Sequence, residues 1–206
     1  MIHELVLRWV VTGLFLLSAA DCGFAIVTKR RPWTVVVNHG LHFVMAVAMA
    51  VMTWPSSAQL PTTGPAVFFL LAALWFVTMA VVGVRTTALR GLYGYHGLMM
   101  LATAWMYAIM NGHLLPVRSS TQSDMSMPDM TTSAMNMPAS SGSPTWFTAV
   151  NWFGTLIFAA AAGFWTYRYF IERHHEANRY RTLGNLGEAM TAAGFAILFL
   201  ATLFRI

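Results

Sequence analysis

The sequence predicts an all-α, polytopic membrane protein, a bundle of six transmembrane helices. Three observations carry that class. Hydrophobic residues make up 57% of the 206-residue chain and charged residues only 9%, outside the usual range of soluble globular domains. The apolar residues fall into six stretches of about 20, the length a helix needs to cross a bilayer. Most of the lysines and arginines lie in the short segments between those stretches. Within lipid each backbone polar group must be bonded inside its own segment, which helices achieve.

The first span is expected over residues 5 to 27, ending at Lys29, Arg30 and Arg31. A cleaved signal peptide is the competing reading, because SAAD resembles a processing site. Glu4 and a basic cluster placed after the apolar stretch rather than before it speak against cleavage. Asp21, directly before Cys22, does not suit a lipoprotein signal. The second span covers about 34 to 53 and stops at Trp54 and Pro55; the third covers about 65 to 84 and is closed by Arg85 and Arg90. The fourth lies in residues 91 to 117, GLYGYHGLMMLATAWMYAIMNGHLLPV, and leaves the membrane at Gly112 and Pro116. Residues 118 to 144 are Ser, Thr, Pro and Met with Arg118, Asp124 and Asp129 as the charges, a composition expected to stay disordered. They separate a first unit, residues 1–117 with four helices, from a second, residues 145–206 with two. The fifth span runs from Thr145 to about Phe170, with Trp146 and Trp152 at one interface and Tyr167 and Tyr169 at the other. A charged segment from Glu172 to Arg181 precedes the sixth span, about Leu183 to Phe204.

Nine of the twelve basic residues (Lys29, Arg30, Arg31, Arg85, Arg90, Arg168, Arg173, Arg179 and Arg181) border loops one, three and five, and loop two holds none. The positive-inside rule then puts both termini and the linker outside a plasma membrane. Topology thus accounts for the net charge of +5, and nucleic acid is not expected as a partner. The bilayer is. A single cysteine, Cys22, excludes an intrachain disulfide.

Two of the spans carry matching stripes of metal-ligand residues. On span four His96, Met99, Thr103, Met106, Met110 and His113 fall within roughly a 100° arc, and on span two Asn38, His42, Met45, Met49 and Met52 fall within roughly an 80° arc. Both spans run from inside to outside, so His42 matches His96 in depth, Met45 matches Met99, Met49 matches Met106 and Met52 matches Met110. Asp21, Cys22 and Glu188, with His39 and Asn185 close by, lie in the same inner slab as the two histidines. Ionisable groups at membrane depth are costly and therefore pair or mark an ion pathway. One inner polar site drawn from spans one, two, four and six is expected, with a smaller group of Asn111, His113 and Asn151 at the outer end. Each feature also has a plain reading: methionine at helical spacing fills cores, and imidazole with carboxylate can simply fix helix register. His174 and His175 are expected to be solvated, and His3 with the N-terminal amine makes only a weak ligand pair.

In the linker, Met125, Met127 and Met130 form M-x-M-x-x-M, and Met135 with Met137 repeats M-x-M. This spacing resembles the methionine motifs of eukaryotic copper importers and bacterial periplasmic copper-resistance proteins, over some 13 residues. Thioethers and imidazoles together suit copper(I). At larger scale, HGLHFVMAVAMAVMTWP, PAVFFLLAALWF, GYHGLMMLATAWMYAIMNGHLLP and TAVNWFGTLIFAAAAGFWTYRYF resemble an actinobacterial family of multi-spanning membrane proteins with a domain of unknown function. That resemblance implies a plasma-membrane protein whose outer linker is often rich in Met or His, and it supplies no activity. Here the linker holds Met and no His, which favours copper(I) over copper(II) or zinc.

The leading expectation is a protein that binds or moves copper(I). The linker captures the ion, Met110 and His113 receive it, and the ladder leads to His42 and His96, with Glu188 or Asp21 balancing charge. A copper donor or acceptor protein would be its partner. A haem b cytochrome with His42 and His96 as axial ligands is the second reading. A non-catalytic accessory subunit of an oligomeric membrane complex is the third. No nucleophile triad, phosphate loop or H-E-x-x-H pattern is present, so no enzyme activity is expected beyond redox chemistry at a bound metal.

Overall fold

Helix formation follows from runs of Leu, Ala, Met and Phe with few internal breakers. The structure, a computed structural model, describes residues 5–28, 33–55, 61–83, 86–110, 145–174 and 179–204. Those residues form α1 (Leu5–Thr28), α2 (Trp33–Met52), α3 (Thr63–Thr78), α4 (Thr87–Met110), α5 (Thr145–His174) and α6 (Arg179–Phe204). The α3 helix runs on into a π-helical turn, Met79–Gly83. The fold class is the all-helical bundle expected, with some ends extended. α4 starts at Thr87 and α6 at Arg179, each several residues before its apolar stretch, because a helix satisfies its backbone as well at the interface as in the hydrocarbon.

Consecutive helices pair as hairpins, α1 with α2, α3 with α4 and α5 with α6, and α1 also packs along α6. α2 and α4 approach closely only over a short stretch. Small residues set the closest contacts, as is usual between membrane helices. A β-carbon on Gly154 would lie 2.6 Å from the Phe199 ring, and one on Gly194 would lie 2.8 Å from the Phe15 ring. Between these contacts sits an aromatic stack: Phe158 lies 4.7 Å from Phe195 and 5.7 Å from Phe199, and Phe15 meets Phe195 edge-on at 5.7 Å. At one end of the last hairpin, Glu172 accepts from Arg168 at 2.8 Å and from Asn185 at 2.7 Å, which ties α5 to α6.

The outer surface is apolar. Leu16, Leu17, Leu71, Leu74, Phe153 and Leu156 are among many large hydrophobic side chains left exposed, far more than a water-soluble monomer tolerates. Five of the helices are long and apolar enough to cross a membrane. α4 has 24 residues but carries Arg90, His96 and the glycines 91, 94 and 97, which make it more polar. The chain is a multi-pass helical membrane protein. An apolar cleft of about 500 Å³ opens between α3, α4, α5 and α6, lined by residues such as Val67, Leu70, Leu101, Phe153, Ile157 and Phe199.

Candidate metal site

His42, His96 and Glu188 each stand nine residues in from the start of α2, α4 and α6, about 13 Å along each helix at 1.5 Å per residue. That common depth brings the three side chains together. Their donor atoms lie within 4.8 Å of one another. The imidazole centroids of His42 and His96 are 4.2 Å apart, steeply inclined, and the His96 Nε2 to Glu188 Oε1 distance is 3.0 Å. Phe76 of α3 packs edge-on against both rings at 5.6 Å and closes the site on that side. Tyr95 covers His96 at 5.9 Å.

The hydrogen bonds fix which atoms are on offer. His42 Nδ1 is 3.0 Å from the Asn38 carbonyl, one turn back. A carbonyl only accepts, so Nδ1 carries the proton and Nε2 of the neutral ring keeps its lone pair. That Nε2 is buried and has no hydrogen-bond partner among the described residues, and the same holds for Glu188 Oε2. An imidazole whose other nitrogen is bonded to a backbone carbonyl is oriented in the way metal-ligating histidines usually are. His96 donates Nε2–H to Glu188, so a carboxylate orients the second imidazole. Asn38 adds further support: its Nδ2 donates to Tyr93 Oη at 3.0 Å, bridging α2 to α4, and its Oδ1 accepts from Trp75 Nε1 at 3.4 Å.

The remaining sequence candidates divide. Met45, Met49 and Met99 are fully buried and share one apolar core with Phe15, Phe69, Phe76 and Met100. Met52 and Met106 belong to the same core, and with Met110, which packs against it, they also line a cavity of about 80 Å³ near the far ends of α2 and α4. Asp21 is not among the three converging donors. Its carboxylate instead lies against α6 at Gly187, where a β-carbon would stand 3.0 Å from Oδ2. Asn185 belongs to the α5–α6 clasp, and Asn151 accepts from Trp105 at 3.4 Å and donates to the Phe147 carbonyl at 3.0 Å. Among the described residues the α2, α4 and α6 groups bring their donor atoms together, with Asp21 and His39 close enough to interact with Glu188 electrostatically. Asn111, His113, Met125, Met127, Met130, Met135 and Met137 lie outside the described residues. Phe76 and Tyr95, which wall the site, went unmarked by sequence reasoning, because an aromatic on an apolar helix carries no signal of its neighbours.

A family model described as "Domain of unknown function (DUF5134)" matches residues 34–202. The chain belongs to that family. All three converging donors lie inside the matched region, whereas α1 and Asp21 precede it. Proteins named "Uncharacterized protein Rv0970" and "Uncharacterized protein MT0998" from two Mycobacterium tuberculosis strains, and "Uncharacterized protein Mb0995" from Mycobacterium bovis, are similar to it. Each is 67% identical over 210 aligned residues, covering 100% of both chains. No solved structure matches.

Proposed function

We propose that this DUF5134 protein binds copper(I) within the membrane at His42, His96 and Glu188. The carrying observation is the convergence of three donors from three helices within 4.8 Å, two of them with a buried atom that has no partner among the described residues. A four-coordinate ion with bonds of about 2.0–2.2 Å holds its donors about 3.4 Å apart, so closing this group around one ion takes side-chain shifts and either loss of the Nε2 proton that His96 gives to Glu188 or a turn of the ring that presents its other nitrogen. Two imidazoles and a carboxylate also suit zinc or iron(II). Copper(I) is favoured by the methionines elsewhere on the same two helices and by the M-x-M-x-x-M segment of the linker, read as an outer capture arm. One carboxylate would neutralise a monovalent ion completely, which matters where a net charge is costly.

Haem is a poorer fit. Axial imidazoles stand on opposite faces of a macrocycle, and rings with centroids 4.2 Å apart leave no space for one between them. A purely structural network accounts for the His96–Glu188 bond but not for the unpartnered Nε2 of His42.

The test is copper content of the purified full-length protein, loaded anaerobically with copper(I). Wild type is expected to retain copper, and His42→Ala and Glu188→Gln to lose the membrane-site share of it. Retention of that share by both variants would sink the proposal. Replacing the five linker methionines by leucine should slow loading and leave the final content of the membrane site intact.

A further inference from the structure

α4 and α5 face each other across a gap and do not pack along one another. Aromatic side chains bridge them instead. Trp105 meets Trp146 at 5.9 Å and Phe147 at 6.1 Å, and nearer the start of α4 Tyr95 meets Trp165 at 6.1 Å. Small residues usually let membrane helices close up, yet Ala66 of α3 and Ala102, Ala104 and Ala108 of α4 line the cleft of about 500 Å³ left beside this gap. Its lining runs from Leu98 to Ala108 on α4, about 15 Å of helix, which is half of a hydrocarbon core about 30 Å thick. On α3 and α5, which run the opposite way, it takes Thr63 to Leu70 and Val150 to Phe158, in the first half of each. The slot therefore spans one leaflet, the one beyond the metal site. Its polar groups are taken: Trp105 Nε1 donates to Asn151 Oδ1 at 3.4 Å, and Thr63 has an interaction of its own. The other lining residues are Ala, Val, Leu, Ile, Phe and Gly.

We propose that this slot holds one acyl chain of a phospholipid from that leaflet. Three physical grounds support it. Water has no partner there, since an apolar cavity stays dry, and an empty slot would forfeit the dispersion contacts of its whole lining. The volume fits a chain: an engineered cavity of roughly 150 Å³ holds one benzene, so about 500 Å³ takes on the order of 15–20 carbons. The slot is also continuous with the surface that meets the bilayer, because Val67, Leu70, Leu101 and Phe153 line it and are each about half exposed or more. A chain can enter sideways and lie upright along α4, with its head group left at the interface. A ligand that must bury a polar ring would leave that ring unpaired in the slot, which is costly. The slot shares no residue with His42, His96 and Glu188, and it stands or falls independently of the metal site.

Native mass spectrometry of the full-length protein decides it, after purification in detergent and again after incubation with palmitoyl-oleoyl phosphatidylglycerol. Both samples are expected to keep a single phospholipid through washing that strips the rest. Ala66→Phe and Ala102→Phe, which put a ring into the slot from opposite walls, should each lower that population several-fold. Leu17→Phe, on the exposed face of α1 and outside the slot, should leave it unchanged. Should the two wall variants fail to fold, Leu101→Trp at the half-exposed rim serves, with the same readout. Loss of all lipid on washing, equal retention by the filled and control variants, or a polyprenyl compound or free fatty acid in place of the phospholipid overturns the proposal.

Discussion

His42 has a feature that separates function from stability. Its Nδ1 is satisfied by Asn38, while Nε2 is buried with no partner among the described residues. Leaving a polar atom so costs about 1–3 kcal/mol, and replacing it with an apolar group of similar size removes that cost. In metal-free protein His42→Leu is expected to be neutral or to stabilise by about 1 kcal/mol, while copper binding is lost. A thermal melt in chelator checks it, and a loss of several degrees would mean that the imidazole holds the fold. Glu188 should behave in the opposite way. Truncation to alanine removes the acceptor of the 3.0 Å bond from His96 and is expected to cost about 1.5–3 kcal/mol, typical of a hydrogen bond to a charged group. The pairing of the two histidines in depth was legible from sequence, because spans two and four run in the same direction and carry matching stripes. The orphaned nitrogen was not, since it depends on which atom of Asn38 and which face of Phe76 arrive beside it.

At the scale of the helices, close packing rests on glycines that admit aromatic rings. Gly194 receives Phe15 of α1 and Gly154 receives Phe199 of α6. Gly194→Ala drives a methyl into a ring already held edge-on by Phe195, and overpacking of this kind costs about 1–3 kcal/mol. Gly163, on α5, has nothing within 4 Å of where its β-carbon would stand, so Gly163→Ala should instead gain up to about 1 kcal/mol from helix propensity. Melting temperatures of the two variants, measured side by side in one detergent, should move in opposite directions; a fall in both would mean that the packing is not as described. The spans themselves could be read from the apolar stretches to within a few residues. Their neighbours could not: when lipid-facing and core-facing sides are both apolar, periodicity loses its contrast. Sequence reasoning could match the stripes of α2 and α4 in depth, leaving open whether their faces meet; α2 packs chiefly on α1 and α4 on α3, with contact between α2 and α4 confined to a short stretch. Met45, Met49, Met52, Met99 and Met106 accordingly sit in one apolar core, while His42 and His96 at one end of the stripes meet in a site and Met52, Met106 and Met110 at the other also line a cavity.

For the whole molecule the open variable is which way it faces, and the distribution of basic residues makes a definite prediction. Loops one, three and five hold nine of the twelve lysines and arginines and loop two none, so the starts of α2, α4 and α6 should face the cytosol. His42, His96 and Glu188, nine residues in from those starts, then lie in the inner half, and the Met-rich linker lies outside. A metal arriving from outside would meet the linker thioethers first and imidazole with carboxylate second, an order of rising basicity and charge that draws a cation inward. Fusion of alkaline phosphatase, active only outside the membrane, to the C-terminus after Ile206 should be active, and a fusion within residues 175–178 should not. The reverse pattern would turn the methionine end toward the cytosol. Capture from outside would then have no route, whatever the metal content of the purified protein.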